Sequence, residues 1–183
     1  MTKLNRQFYN SHPTIVARNL LGCVLCVQQP DGSVKKGIIV ETEAYRQDEE
    51  SCHAFRGVTK RSKTLFMKEG TLYVYFTYGM HYCVNIVTEC EGIGSAVLIR
   101  ALEPIFGDDI KICSGPAKLC KALGITTEFN EIDTCADNSL VWIEAYKNIS
   151  DSNIVQTTRI GIKKAVELPW RFYIKDNKFV SKK

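Results

Sequence analysis

Two carboxylates stand two residues apart in VETEAY, Val40 to Tyr45. In a β-strand that spacing puts Glu41 and Glu43 on one face, ~7 Å apart, together with Ile39 and Tyr45, while Val40, Thr42 and Ala44 take the other. On an isolated strand such a face is commonly open to solvent, with two hydrated acids. Tyr45, directly beyond Glu43 and leading into a long polar stretch that contains His53, also suits a site where a carboxylate handles a proton. Farther along, Ala96, Leu98, Arg100 and Leu102 share the face of a second candidate strand. An arginine among apolar neighbours requires a carboxylate or phosphate partner, because an unpaired buried charge is expensive. Glu41, Glu43 or a bound phosphate would each serve.

The elements that must position these groups follow from periodicity and turn chemistry. A helix is predicted after His12-Pro13, with Ser11 near its cap, ending at Gly22. Strands Cys23–Gln29 and Val34–Tyr45 form a hairpin around Pro30-Asp31-Gly32-Ser33, and Arg46 to Lys63 is a long loop of the kind that carries function. In TLYVYFTYGMHYCVNIV, Thr71 to Val87, the apolar Leu72, Val74 and Phe76 alternate with Tyr73, Tyr75 and Thr77. A two-residue turn, Gly79-Met80, would pair Tyr75 with Val84 and set Asn85 among core residues. A three-residue turn, Gly79-Met80-His81, pairs Phe76 with Val84, Val74 with Ile86 and Tyr75 with Asn85, which keeps like with like. The second register predicts a non-core face carrying Tyr73, Tyr75 and Asn85, with Tyr78 at the hairpin tip. Strands at Thr71–Tyr78, Tyr82–Thr88 and Ser95–Glu103, a helix from Ser114-Gly115-Pro116 to Leu123, and strands at Leu140–Tyr146, Thr157–Ile162 and Arg171–Lys175 complete the chain. Neighbouring strands joined by short turns predict an α+β fold: a mostly antiparallel curved sheet with a few surrounding helices, in one domain covering residues 1–183.

Composition narrows the classes. With 183 residues, 45% hydrophobic and 24% charged, the chain is neither disordered nor fibrous. The net charge of +4 permits an acidic partner without requiring one. Arg56, Lys60, Arg61, Lys63 and Lys68 follow one another with no acid between them, and Lys163, Lys164 and the C-terminal residues from Arg171 form a second basic region. Each is a solvated surface or a set of phosphate contacts. The polar N-terminus has no secretory apolar core and no apolar run reaches membrane-spanning length, so an intracellular protein is expected. Eight cysteines then read as reduced thiols. Cys23 and Cys26 fall on opposite strand faces, no second pair complements them, and His12, His53 and His81 form no metal motif, so no metal site is expected.

VETEAY followed by His53, then TLYVYFTYGMHYCVN, VLIRALEP, SGPAKL and RFYI, in that order between about Leu20 and Val180, resemble the alkyladenine (3-methyladenine) DNA glycosylase family. The resemblance implies a single-domain, mostly antiparallel mixed fold without metal or dissociable cofactor. It implies a monomer acting on double-stranded DNA that carries damaged purines. Members excise 3-methyladenine, 7-methylguanine, hypoxanthine and ethenoadenine by hydrolysing the N-glycosidic bond, leaving an abasic site. On the matching positions, Glu43 corresponds to the general base that deprotonates water, Arg100 to the arginine that holds that water and the glutamate, and the carbonyl of Ile160 to the backbone group completing the water's shell. Tyr45, His53 and Tyr75 correspond to residues that sandwich and hydrogen-bond the extruded base. Asn85 corresponds to the residue that clashes with the exocyclic amino group of guanine, with Leu98 beside it, and Tyr78 to the wedge that fills the vacated duplex step. The chain begins almost at the domain, without the long N-terminal extension of some eukaryotic members, and its segment between Tyr45 and His53 is a residue shorter than in better-known ones.

General chemistry accounts for these residue types. A base inside a duplex is unreachable, so the nucleotide must rotate out at a cost of a few kcal/mol, which an aromatic wedge offsets by restacking the step. Tyrosine faces attract cationic alkylated purines by ~1–2 kcal/mol when desolvated. Cleavage at C1′ passes through an oxocarbenium-like state in which an ionised carboxylate, favoured by a nearby arginine, activates water. VETEAY holds no lysine to form a Schiff base, so a glycosylase without lyase activity is expected. Phosphate contacts fall to the loop from Arg56 to Lys63, Arg61 and Lys63 among them, to Lys118 and to the helix start at Ser114; these carry affinity and salt dependence rather than lesion choice. Two other classes compete. A purine nucleosidase would need neither Tyr78 nor phosphate contacts, and a non-catalytic damaged-DNA-binding module would not need Glu43 and Arg100 in register.

Overall fold

The computed structural model describes residues 1–77, 79–106 and 111–182. In chain order the elements are β1 (Thr2–Lys3), α1 (Arg6–Tyr9), α2 (Pro13–Asn19), β2 (Val24–Gln28), β3 (Val34–Arg46), β4 (Leu72–Thr77), β5 (His81–Val87), β6 (Ser95–Pro104), α3 (Pro116–Leu123), β7 (Val141–Ala145), β8 (Ile154–Thr157) and β9 (Arg171–Ile174). The expected turn at 30–33 forms as its chemistry dictates: Asp31 Oδ1 accepts from Ser33 N–H at 2.9 Å, and Gly32 takes a φ of 82°. It launches the long strand β3, which carries both glutamates. The strands join one antiparallel sheet in the order β1-β7-β2-β3-β6-β5-β4, and β9 pairs with β3 and β8 beside that path. The α+β class and the mostly antiparallel sheet are those expected from the sequence.

Cross-strand register brings the chemistry together. Arg171 on β9 opposes Glu43 on β3, Glu43 opposes Leu98 on β6, Leu98 opposes Asn85 on β5, and Asn85 opposes Tyr73 on β4. One row thus spans five strands at ~4.8 Å per step, and positions distant in sequence become neighbours. On one side of the sheet, α2 and α3 cover the main core, which includes Val16, Leu20, Ile39, Ala44, Ile99, Leu102 and Leu119. On the other, Phe179 and Val180 pack on Val24, Ile38 and Val40.

Several expectations are corrected. The cap of α2 is His12, whose side chain accepts from the Thr14 N–H, rather than Ser11. The β4–β5 register is neither of the two considered: Val74 pairs with Val84 and Tyr73 with Asn85, because the strands resume at Thr77 and His81 and the connecting residues are 78–80. It still keeps like with like, as does the favoured register two residues away, so sequence pattern does not separate the two. Ile39 does not share the face of Glu41 and Glu43, nor does Leu102 share that of Arg100. Register shifts around Glu41 break strict alternation, so Ile39 and Leu102 turn into the main core while the charged residues face away from it. The strand expected at Thr157–Ile162 lies earlier, at Ile154–Thr157, and residues from Arg159 onward form an irregular segment beside Glu43. Tyr78 lies outside the described residues.

Helix α2 is held to the sheet by one buried polar contact. The Thr42 hydroxyl, fully buried, donates to the Ala17 carbonyl at 2.8 Å, near the helix end where carbonyls lack intrahelical partners. Thr42→Val keeps the shape and removes the donor, so urea unfolding is expected to show a loss of about 1–3 kcal/mol.

Candidate active site

Four charges are buried in one patch of the sheet. Glu41 Oε1 accepts from Arg100 Nε at 3.2 Å and from Arg171 Nε at 2.7 Å, and its Oε2 accepts from the Ser181 N–H at 2.7 Å. Glu43 Oε2 accepts from Arg100 Nη1 at 3.3 Å and from the Tyr45 hydroxyl at 2.8 Å, while Oε1 accepts from the Ile160 N–H at 2.7 Å. Both carboxylates are completely shielded from solvent. The two pairs balance in charge, as burial demands. Burial alone would lower the Arg100 pKa, but the charges of Glu43 and Glu41 outweigh it and hold the guanidinium above its ordinary value.

A cavity of about 530 Å³ opens above this patch. Tyr45, Arg100 and Ile160, the three groups bonded to Glu43, all line it, so the carboxylate lies just beneath the floor. Its walls include His53, Tyr73, Tyr75, Asn85 and Leu98. The His53 ring meets Tyr75 edge to face at 4.7 Å, and its Nδ1 shares a 2.9 Å hydrogen bond with the Tyr73 hydroxyl. Asn85 is fixed by donating from Nδ2 to the Tyr73 carbonyl at 3.0 Å. Burial, helped by the charge of Arg61, lowers the His53 pKa to about 4, so the imidazole is neutral at pH 7. Burial likewise raises the phenols of Tyr73, Tyr75 and Tyr45, the last reinforced by the charge of Glu43, and they remain protonated donors. The volume suits one flat heteroaromatic group with its sugar, and the walls supply aromatic faces and a few directional polar atoms. Among the described residues no group of three or more His, Cys, Asp or Glu side chains is arranged to hold a metal ion.

A family profile described as methylpurine-DNA glycosylase (MPG) matches residues 7–178. The chain belongs to this family. Curated relatives named "Putative 3-methyladenine DNA glycosylase" include one from Carboxydothermus hydrogenoformans, 48% identical and covering 98% of this chain and 99% of its own. Another from Francisella tularensis subsp. tularensis is 49% identical with 91% and 92% covered, and one from Methanoculleus marisnigri is 42% identical with 96% and 97% covered.

Within the glycosylase fold, Tyr45, His53, Tyr75, Asn85, Leu98, Arg100 and Ile160 converge on this one cavity, with Glu43 under it. Ile160 donates its N–H directly to Glu43, a contact separate from the role that the resemblance gives its carbonyl in the shell of a water. Arg61, expected on phosphate, lines the cavity, its guanidinium 5.4 Å from the Tyr75 ring centroid. Lys63 is engaged with Glu131 at 2.9 Å. Ser114 forms a bridge to Ala101 and lies outside the cavity lining, although Pro116 at the start of α3 reaches it; Lys118 is exposed. Sequence reasoning missed Arg171, which neutralises Glu41, and Arg159, fully buried against Glu49 at 2.7 Å. Arg171 stands between Trp170 and Phe172 and Arg159 precedes Ile160, so the signal available was an arginine beside apolar residues, as at Arg100.

The two glutamates should separate by experiment. Glu41→Gln leaves Arg171 and Arg100 undercompensated and is expected to cost about 3–5 kcal/mol in urea unfolding. His53 gives a pH signature. Its pKa is about 4 in the fold against an ordinary 6.5, so its contribution to stability is present above pH 6.5 and is lost as pH falls toward 4. His53→Gln should therefore lose less stability than the parent between pH 7 and pH 4.5; equal losses would remove His53 as the cause.

Proposed function

We propose that this chain, as one domain spanning residues 1–183, is a monofunctional DNA glycosylase of base-excision repair, acting as a monomer inside the cell. It extrudes alkylated or deaminated purines, including 3-methyladenine, 7-methylguanine, hypoxanthine and ethenoadenine, from duplex DNA and hydrolyses the N-glycosidic bond to leave an abasic site. The observation that carries the reading is a buried carboxylate, Glu43, paired with Arg100 directly under the floor of an aromatic-walled cavity.

Water reaching the floor beside Tyr45 takes over one of the hydrogen bonds to Glu43, which accepts its proton as the nucleophile adds to C1′. Arg100 supports the carboxylate, and the negative charge of Glu43 faces the positive charge that develops on the sugar. The carbonyl of Ile160 completes the shell of that water. Tyr45 and Tyr75 stack on the base, which favours cationic purines. His53, with Nδ1 committed to Tyr73, keeps Nε2 for a hydrogen bond to the base. Asn85 excludes the amino group of guanine. Tyr78 fills the vacated step of the duplex. Arg61, Lys63, Ser114 and Lys118, together with the cavity-rim Lys163 and Lys164, supply phosphate contacts whose strength falls with salt.

The test is a duplex with one hypoxanthine or ethenoadenine, treated with hot alkali after incubation, alongside assay of 3-methyladenine release from methylated DNA. Strand scission and release are expected; absence of both would sink the activity. Glu43→Gln should slow release about a thousandfold while lesion binding persists. An equally active variant would refute the assigned base.

A further inference from the structure

The Tyr45 ring carries a cation on its back. Arg159 Cζ lies 4.7 Å from the ring centroid and its side chain is entirely buried. Tyr45 lines the cavity and Arg159 does not, so the guanidinium covers the side of the ring turned away from it. Glu49 binds this guanidinium with both oxygens, at 2.7 and 3.0 Å, and the carbonyls of Ala44 and Ala165 accept from it at 3.0 and 3.2 Å. An aromatic face attracts one cation by its quadrupole; a second cation on the opposite face meets repulsion through the ring.

We infer that the buried Glu49–Arg159 pair sets how strongly the cavity favours positively charged purines over neutral ones, with Glu49 cancelling the charge that Arg159 places behind Tyr45. The inference rests on the proposed base excision. A base in van der Waals contact with the open face lies on the order of 8 Å from the guanidinium, and the Glu49 carboxylate lies a few ångströms farther. At an effective dielectric of about 20, the Coulomb effect of that carboxylate on a cationic base corresponds to about tenfold in affinity. Hypoxanthine, being neutral, feels little of it. Neither residue is placed to touch the base, so the pair is a positioning and charge-setting device. Arg159 also precedes Ile160, and the pair ties the segment around His53 to the one around Ile160; a purely structural clamp would therefore affect all lesions alike.

The experiment compares the full chain with Glu49→Gln and with the double variant Glu49→Gln/Arg159→Met. Single-turnover release of 7-methylguanine and of hypoxanthine is measured from otherwise identical duplexes, with equilibrium binding to the same duplexes. The ratio of 7-methylguanine to hypoxanthine should fall about tenfold in Glu49→Gln, where arginine keeps its charge. It should return to near the parent value in the double variant. A parallel loss on both lesions with an unchanged ratio overturns the inference, as does a ratio that stays low in the double variant. If Glu49→Gln does not fold, Glu49→Ala, which leaves room for water around the guanidinium, is read in the same way. A parent protein that releases neither base overturns the proposed activity, and the binding ratio then still decides the role of the pair.

Discussion

Two carboxylates and two guanidiniums buried in one patch of sheet are tolerable only together, since any one left alone would carry an uncompensated desolvation penalty. Glu41, Glu43, Arg100 and Arg171 come from three strands, β3, β6 and β9, so their mutual pairing ties the register of those strands to the electrostatics of the site. A one-residue slip would not merely misplace side chains; it would strand charges in an apolar interior. The irregularity around Glu41 is part of the same arrangement. It turns Ile39 and Leu102 into the helix-covered core and frees the opposite face for the acids.

The two glutamates differ in what surrounds them rather than in what they are. Glu41 receives guanidinium N–H groups from Arg100 and Arg171 and the backbone N–H of Ser181, and neither Arg171 nor Ser181 lines the cavity. Among the described residues every donor to Glu43 also lines the cavity. One acid therefore serves as structural counter-ion and the other lies within one hydrogen bond of whatever occupies the cavity. Neutral His53 and the protonated phenols extend the site upward as a wall of donors and aromatic faces, without adding a mobile charge of their own.

Much of the fold was legible because it depends on local signals. Turn residues at 30–33, alternation along β4 to β6 and the proline-started helices α2 and α3 lie close to the positions expected. The failures have specific causes. Register between β4 and β5 was ambiguous because the pairing that forms and the one two residues away from it both match apolar with apolar. The strand at Ile154–Thr157 escaped notice because it is short and takes its support from β9, while the apolar residues that suggested a strand farther on belong to a segment packed against Glu43. The brief α1 and β1 are held by contacts with distant parts of the chain, such as Arg6 with Asp133 and the pairing of Thr2 with Ala145.

For the site, residue types along the chain determined that an acid, an arginine, several tyrosines and a histidine were available on strands and one long loop, and alternation put Tyr73, Tyr75 and Asn85 on a common face. Tertiary structure alone decided which acid faces the cavity, that Arg61 stands over Tyr75, and that Arg159 and Glu49 meet behind Tyr45. The physical reason is that strand periodicity is a local property of the backbone. Pairing of buried charges instead depends on through-space distances between segments more than a hundred residues apart, as with Arg159 and Glu49, and those distances exist only once the sheet has closed its register.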